Sequence, residues 1–105
     1  MKIDSGQIWS IKNSDKIQRC RAVVLFRENI SEERIVHIVL VDEFGSPVIT
    51  HLPFSRDAFE DSVDSLIEMV SGTCSFEEGY SYWKGEYEAG RSGIFGSEIS
   101  ECIVL

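Results

Sequence analysis

Four apolar runs occupy the first half of the chain, and polar turns separate them. The runs lie at residues 6–12, 17–28, 34–42 and 48–54. The second run begins by alternating and ends in AVVLF, a continuous apolar stretch typical of a strand buried on both faces. The segments NISEE and EFGSP between the runs have the composition of tight turns. The pattern therefore predicts four strands joined by hairpins in a mostly antiparallel sheet.

After Ser55 the spacing of apolar residues changes from that of a strand to that of a helix. The apolar positions are separated by 4, 3, 1 and 3 residues, which places them on one helical face: Phe59, Val63, Leu66, Ile67 and Val70. Ser55 is a suitable N-cap, and Gly72 is placed to end the helix. The pattern predicts a first helix whose main part is DAFEDSVDSLIE, residues 57–68.

A second helix is predicted to begin at Ser75, which forms the capping-box pair S-x-x-E with Glu78. Four aromatic residues recur at intervals of 4, 3 and 4 and share one face of this helix: Phe76, Tyr80, Trp83 and Tyr87. Gly90 or Gly93 would end it, and the tail IFGSEISECIVL is expected to return to the sheet as the last strand. The order β-β-β-β-α-α-β predicts an α+β fold, in which two helices pack on a curved, mostly antiparallel sheet of about five strands. Whether this sheet closes into a small barrel stays open at this point.

Length and composition are those of one globular domain covering residues 1–105. With 105 residues and 43% hydrophobic content, the chain can bury a core without a metal ion or disulfides. The cysteines are odd in number and lack C-x-x-C spacing, so Cys20, Cys74 and Cys102 are predicted to be free thiols. No apolar stretch approaches the length of a membrane span, and the first residues lack the apolar core of a signal peptide. The expected location is the cytoplasm.

Charge is distributed unevenly along the chain. The formal net charge is −8, and it divides into +2 for residues 1–41 and −10 for residues 42–105. A field of this sign repels nucleic acid and anionic lipid, and it attracts cationic surfaces. We therefore expect neither nucleic-acid nor membrane binding, and the expected partner is a basic protein.

The predicted first helix is crowded with acids and contains no basic residue between positions 57 and 68: its acids are Asp57, Glu60, Asp61, Asp64 and Glu68. All but Glu60 lie about 200° around the helix from the apolar stripe. Acids three and four residues apart on a helix repel by about 0.2–0.5 kcal/mol per pair. The acids form either a solvated face or a docking surface for a basic partner, and the charge asymmetry of the whole chain favours docking.

The predicted second helix adds a smaller candidate contact patch. Glu77 and Glu78 lie in its first turn, and Tyr82 does not share the aromatic face. An exposed tyrosine beside acids is a common interface anchor, although single exposed aromatic residues without partners are also frequent.

Candidate catalytic chemistry rests on two histidines on predicted strands, because the paired carboxylates are interpreted more simply as solvated acidic faces: Asp42–Glu43, Glu77–Glu78 and Asp61 with Asp64. His37 and His51 could act with nearby carboxylates in a small hydrolase or a metal-dependent enzyme, yet no H-x-H or H-E-x-x-H spacing is present. The simpler interpretation is a pair of partly buried histidines with satisfied hydrogen bonds. The glycines of GRSGIFG do not form a phosphate-binding motif. No catalytic residue, metal or cofactor is predicted. A further alternative is a sugar- or peptide-binding module that uses Trp9 on the curved sheet.

Three stretches together resemble small bacterial immunity proteins of polymorphic and contact-dependent growth inhibition toxin systems: GQIW, HLPFSRDAFEDSV and FEEGYSYWKGEYEAGRSGIF. The resemblance implies a non-enzymatic cytoplasmic inhibitor that binds a cognate toxin domain and occludes its active site. Many such toxins are nucleases, RNase-like enzymes among them, and a nuclease has a basic groove for phosphates. Immunity proteins share no common set of binding residues, so the candidate contacts rest on charge and exposure.

Overall fold

The computed structural model describes residues 1–71 and 76–105 of the chain. The strands are β1 (Gln7–Ile11), β2 (Arg21–Ile30), β3 (Glu33–Val41), β4 (Pro47–Ser55) and β5 (Val63–Met69). The helices are α1 (Arg56–Ser62), α2 (Glu77–Glu88) and α3 (Ile99–Cys102), and a 3₁₀ turn covers Ser14–Ile17. Three residues of the sequence predictions lie outside the described residues: Gly72, Cys74 and Ser75.

The five strands form one antiparallel sheet in the order β4-β3-β2-β1-β5. The β2–β3 hairpin has a two-residue loop, since Ile30 lies opposite Glu33, and Ser31 in this loop has a left-handed φ of 55°. In the described part of the chain the sheet is open, with β4 and β5 at its edges. The predicted α+β fold with an antiparallel five-stranded sheet is confirmed, and the question of closure is decided against a barrel.

Helices cover both faces of this sheet. On one face, α1 and α3 pack over the main core, in which Phe54, Phe59 and Ile99 have no accessible surface. Trp9 is buried in the same core, edge-on to Phe59 and with Nε1 donating a hydrogen bond to Gln7 at 3.0 Å. On the other face, α2 lies across β2, β3 and β4. A buried Trp9 under a covered face does not fit the alternative of a sugar- or peptide-binding sheet surface.

The predicted first helix is wrong in its second half. Ser55 does cap a helix, because its hydroxyl accepts a hydrogen bond from the Ala58 amide at 3.1 Å, but α1 ends at Ser62. The chain then becomes β5 and pairs antiparallel with β1, placing Val63 opposite Ile11. Pairing with β1 overrides the helical spacing. Consequently only two members of the predicted apolar stripe are buried, Phe59 and Val63, while Leu66, Ile67 and Val70 are exposed.

The predicted C-terminal strand is also wrong. The tail adds only one isolated bridge to the sheet, between Phe95 and Phe54, whose rings stack with centroids 4.9 Å apart. Residues 99–102 then form α3, because Ile99 and Ile103 are spaced for one helical face and both are buried in the core. The fifth strand of the sheet is therefore β5 and not the tail.

Two expectations from composition can be compared with the described residues. Cys20 and Cys102 are free thiols, as predicted, and burial, with a smaller contribution from Asp42, raises the pKa of the Cys20 thiol. Among the helices of residues 1–71 and 76–105, none has the length and apolar character needed to cross a membrane.

Candidate functional site

The two histidines form a row of stacked rings with Phe26 beneath α2. His37 on β3 lies opposite Phe26 on β2, and its ring stacks on Phe26 with centroids 4.4 Å apart. On its other side, His37 stacks on His51 of β4 with centroids 5.0 Å apart. Nδ1 of His37 and Nε2 of His51 are 2.8 Å apart, which is hydrogen-bonding distance. Three neighbouring strands therefore present three rings to the same helix.

Glu28 joins this row to α2. One carboxylate oxygen lies 3.0 Å from Nε2 of His37. The other accepts hydrogen bonds from the Tyr80 hydroxyl at 2.7 Å and from Nζ of Lys84 at 3.0 Å. Tyr80 and Lys84 are four residues apart on α2 and thus lie on the same helical face. We call Glu28, His37, His51, Tyr80 and Lys84 the histidine cluster.

The surroundings set the protonation state of the histidine cluster. Burial alone would raise the pKa of Glu28, but hydrogen bonds from Tyr80, Lys84 and His37 outweigh it and lower this pKa. Burial lowers the pKa of His37 despite the opposing effect of Glu28, and burial together with His37 lowers the pKa of His51 to about 4. At neutral pH the cluster therefore contains one carboxylate, one ammonium group and two neutral imidazoles.

This state fixes the direction of the hydrogen bonds. The carboxylate of Glu28 can only accept, so His37 donates from Nε2 and accepts at Nδ1. His51 then donates from Nε2, and its Nδ1 keeps a lone pair.

His37 has no accessible surface and uses both ring nitrogens, so it cannot bind a metal or a substrate without losing a hydrogen bond. Within the described ranges, no three histidine, cysteine or acidic side chains are grouped to hold a metal ion.

A cleft of about 440 Å³ lies beside the histidine cluster and is lined in part by Arg27, Arg34 and Arg56. Each of these arginines is paired with a carboxylate, at distances of 4.0, 3.2 and 2.8 Å respectively. Because their charges are already compensated, they are poorly suited to bind a phosphate, and the cleft does not resemble an anion site.

The predicted acidic face is divided between two elements. Asp57, Glu60 and Asp61 belong to α1, whereas Asp64 and Glu68 belong to β5. Asp57 pairs with Arg34 at 3.2 Å, and Glu60 pairs with Arg56 at 2.8 Å. The other three acids are exposed, and over residues 1–71 and 76–105 no cation lies within ion-pair distance of them: Asp61, Asp64 and Glu68.

The second predicted patch lies on α2, across the sheet from α1. Glu77 and Glu78 are exposed in its first turn, and Tyr82 is 73% exposed, as its position off the aromatic face predicted. Glu78 and Tyr82 line a shallow depression together with Phe76. The structure thus brings Glu78 and Tyr82 together but separates them from the acids of α1 and β5.

Sequence reasoning considered the histidines but missed Glu28 and Lys84 as their partners. The signal was present in the β2–β3 hairpin. Its two-residue loop fixes a register in which Phe26 lies opposite His37 and Glu28 lies on the same face two residues later. The contact with Lys84 depends on how α2 packs across the sheet, for which the sequence carries no local signal.

Comparison with known proteins identifies no relative. No protein-family model, curated protein or solved structure matches this chain.

Proposed function

We propose that this protein is an immunity-type inhibitor, an acidic protein that binds a basic toxin domain of the nuclease class and occludes its active site. The observation that carries the proposal is the surface formed by α1 and β5. There Asp61, Asp64 and Glu68 reach solvent without an ion-pair partner among the described residues, next to exposed apolar side chains. Unpaired acids increase the rate of encounter with a cationic surface, and apolar side chains supply contact energy after encounter.

The histidine cluster and the neighbouring cleft are consistent with this proposal. The charged groups of the cluster are engaged with one another and hold α2 on the sheet, and the arginines of the cleft are paired with carboxylates. Among the described residues, Nδ1 of His51 is the one ring nitrogen of the cluster without a hydrogen-bond partner. Glu78 and Tyr82 on α2 are a second contact patch in the proposal, and Glu77 belongs to the same helical turn.

The test begins with the gene next to the one that encodes this chain. We expect it to encode an exported protein with a small basic C-terminal domain, and we expect this domain to co-purify with the chain and to lose its toxicity.

Exchanging Asp61 and Asp64 for lysine should slow association and flatten its dependence on salt concentration. The control exchanges Glu32 and Glu88 for lysine, which changes the net charge equally at positions outside α1 and β5. Equal association kinetics for the two double variants would refute the assigned surface.

A second candidate function is acid–base catalysis at His51. The observation in its favour is the chain of hydrogen bonds from Glu28 through His37 to His51, which leaves Nδ1 of His51 as a proton acceptor. A general base works best when its pKa lies near the working pH, and a pKa of about 4 makes His51 a weak base at neutral pH. This candidate therefore ranks second. Acid–base catalysis at His51 requires an enzymatic turnover that His51→Gln abolishes without unfolding the protein. A metal-dependent form of this catalysis is tested by metal analysis of the purified protein.

A further inference from the structure

The two edges of the sheet differ in how they are covered. At the β4 edge, the chain protects its own backbone. The Phe95 amide donates to the Pro53 carbonyl, and the Ser55 amide donates to the Phe95 carbonyl, both at 2.9 Å. No segment of the described residues covers the outer side of β5 in this way. Among the described residues β5 pairs only with β1, so the amides and carbonyls on its outer side are a template for another strand.

β5 is held firmly along its inner side, so this template is preorganised. The Lys12 amide donates to the Ser62 carbonyl at 2.8 Å just before β5, and the Val70 amide donates to the Gly6 carbonyl at 2.8 Å just after it. Gly6 has a φ of 89°, and a Cβ there would overlap the Val70 carbonyl. A glycine is thus needed directly before β1, where the backbone directly after β5 passes close to it. A rigid edge loses little conformational entropy when it binds a partner.

The side chains of β5 are unusual for an exposed edge. Natural edge strands are commonly protected by lysine, proline or short length. β5 has seven residues, and four apolar side chains are exposed on it or directly after it: Leu66, Ile67, Met69 and Val70. Two bulges interrupt its pairing with β1, which twists the strand but leaves these side chains at the surface.

Charge decides which kind of strand fits this edge. If two copies of β5 paired antiparallel about their centre at Leu66, Asp64 of each copy would lie opposite Glu68 of the other. Like charges directly opposite each other destabilise a strand pair. A strand with lysine or arginine flanking apolar residues would instead place opposite charges there. The acids therefore disfavour a second copy and favour a basic partner.

We propose that β5 is a strand-addition site for an extended segment of a partner protein, about seven residues long, in which basic residues flank apolar ones. Such a segment would span about 23 Å of the edge at about 3.3 Å per residue. Main-chain hydrogen bonds supply its affinity, and the apolar and acidic side chains of β5 select its sequence. This inference rests on the proposed function for the identity of the partner, but not for the chemistry of the edge.

The test uses two probes on the intact chain. The first is the co-purified basic toxin domain, and the second is a capped heptapeptide that alternates lysine and valine. With each probe, amide hydrogen exchange should slow at residues 64–69. Leu66→Lys should weaken binding of both probes about tenfold or more, because it adds a repelling charge at the centre of the edge. A heptapeptide that alternates glutamate and valine should not bind.

The matched control is Val48→Lys on the opposite edge strand, β4. Val48 is 42% exposed and Leu66 is 46% exposed, so neither substitution disturbs the core, and equal thermal unfolding of the two variants verifies this. Strand addition is refuted if Leu66→Lys and Val48→Lys bind the two probes with equal affinity, or if amide hydrogen exchange in β5 is unchanged in the toxin complex. The inhibitor proposal stands in either case. If the lysine–valine peptide protects β5 but no basic domain binds, the inhibitor proposal fails and the edge site stands. Concentration-dependent dimerisation through β5 would refute the charge argument.

Discussion

Glu28→Gln is the sharpest test of what holds α2 on the sheet. Glu28 accepts hydrogen bonds from His37 at 3.0 Å, Tyr80 at 2.7 Å and Lys84 at 3.0 Å, and its side chain is 19% exposed. Glutamine has nearly the same shape but only one accepting oxygen and no charge. The substitution therefore removes hydrogen-bond acceptors and the negative charge while leaving the volume of the site almost unchanged.

The expected loss follows from the bonds to His37 and Tyr80. A hydrogen bond to a charged group contributes about 1.5–3 kcal/mol, and a neutral one about 0.5–1.5 kcal/mol, so two converted bonds lose about 2–3 kcal/mol. If the glutamine amide nitrogen faces His37, a buried donor is left unsatisfied at a similar cost of about 1–3 kcal/mol. We therefore expect the free energy of unfolding to fall by about 2–3 kcal/mol, a large share of the stability of a domain of this size.

Urea unfolding should be followed by two signals. Far-UV circular dichroism reports the sheet and helices together, whereas tryptophan fluorescence is sensitive to Trp83, whose ring centroid lies 5.1 Å from that of His37. Early loss of the Trp83 part of this signal, while Trp9 in the main core retains the rest, would show that α2 detaches first. The control is Glu33→Gln at the exposed start of β3, which should change the free energy of unfolding by less than about 0.5 kcal/mol. If Glu28→Gln and Glu33→Gln have the same stability, the histidine cluster does not hold α2.

Three further predictions concern pH, the β5 junction and the end of α1. The pKa of His51 is about 4 in the folded protein and 6.5 ordinarily, so the unfolded chain takes up the proton first. Its contribution to the free energy of unfolding is complete above pH 6.5 and is lost as pH falls toward 4, with a slope of up to about 1.4 kcal/mol per pH unit. His51→Gln should flatten this slope in pH-dependent urea titrations, and an unchanged slope would contradict the assignment. Gly6→Ala should lower the thermal stability clearly more than Gly45→Ala, because both glycines have a positive φ but only Gly6 faces a backbone carbonyl. Equal losses of stability in thermal unfolding would show that β5 does not need this close approach. Ser62→Ala should lower the free energy of unfolding by about 1–3 kcal/mol, because the buried hydroxyl donates to the Ala58 carbonyl at 2.6 Å and accepts from the Ile99 amide at 2.9 Å. Ser100→Ala should leave the stability unchanged or raise it, because that hydroxyl is buried without a partner among the described residues. The opposite order of stabilities in chemical denaturation would contradict this reasoning.

The predictions from sequence succeed where the structure is determined by neighbours along the chain. The four strands up to Ser55 follow from apolar runs and turns, except that β2 begins at Arg21 and not at residue 17, because residues 14–17 form a 3₁₀ turn. The loop after β2 is also shorter than the predicted turn NISEE, since Ile30 already pairs with Glu33. The aromatic face of α2 follows from its spacing, and Trp83 is buried as that face requires. In each case the pattern that decides the structure lies within the element itself or in the next one along the chain.

The predictions fail where a distant pairing decides the structure. The apolar stripe from Phe59 to Val70 fits a helix, but three of its members are the β-branched residues Val63, Ile67 and Val70, which also suit a strand. The choice depends on β1, more than fifty residues earlier in the chain, whose free edge accepts residues 63–69. Ser62 marks the change, because its hydroxyl donates to the Ala58 carbonyl and accepts from the Ile99 amide. Ile99 lies 37 residues after Ser62, so this contact is not visible in the local pattern.

Because the second half of the predicted first helix forms β5, the acids on it require a different interpretation. On a helix, Asp64 and Glu68 would be neighbours about 5–6 Å apart and would repel. On β5 they are four positions apart along the strand, a distance of about 13 Å, which exceeds the screening length of about 8 Å at physiological salt. Their repulsion costs little, so stability gives no reason to exclude them, and their number alone no longer indicates a function. What distinguishes this surface is the uncovered edge with apolar side chains, and the acids determine which partner can use it.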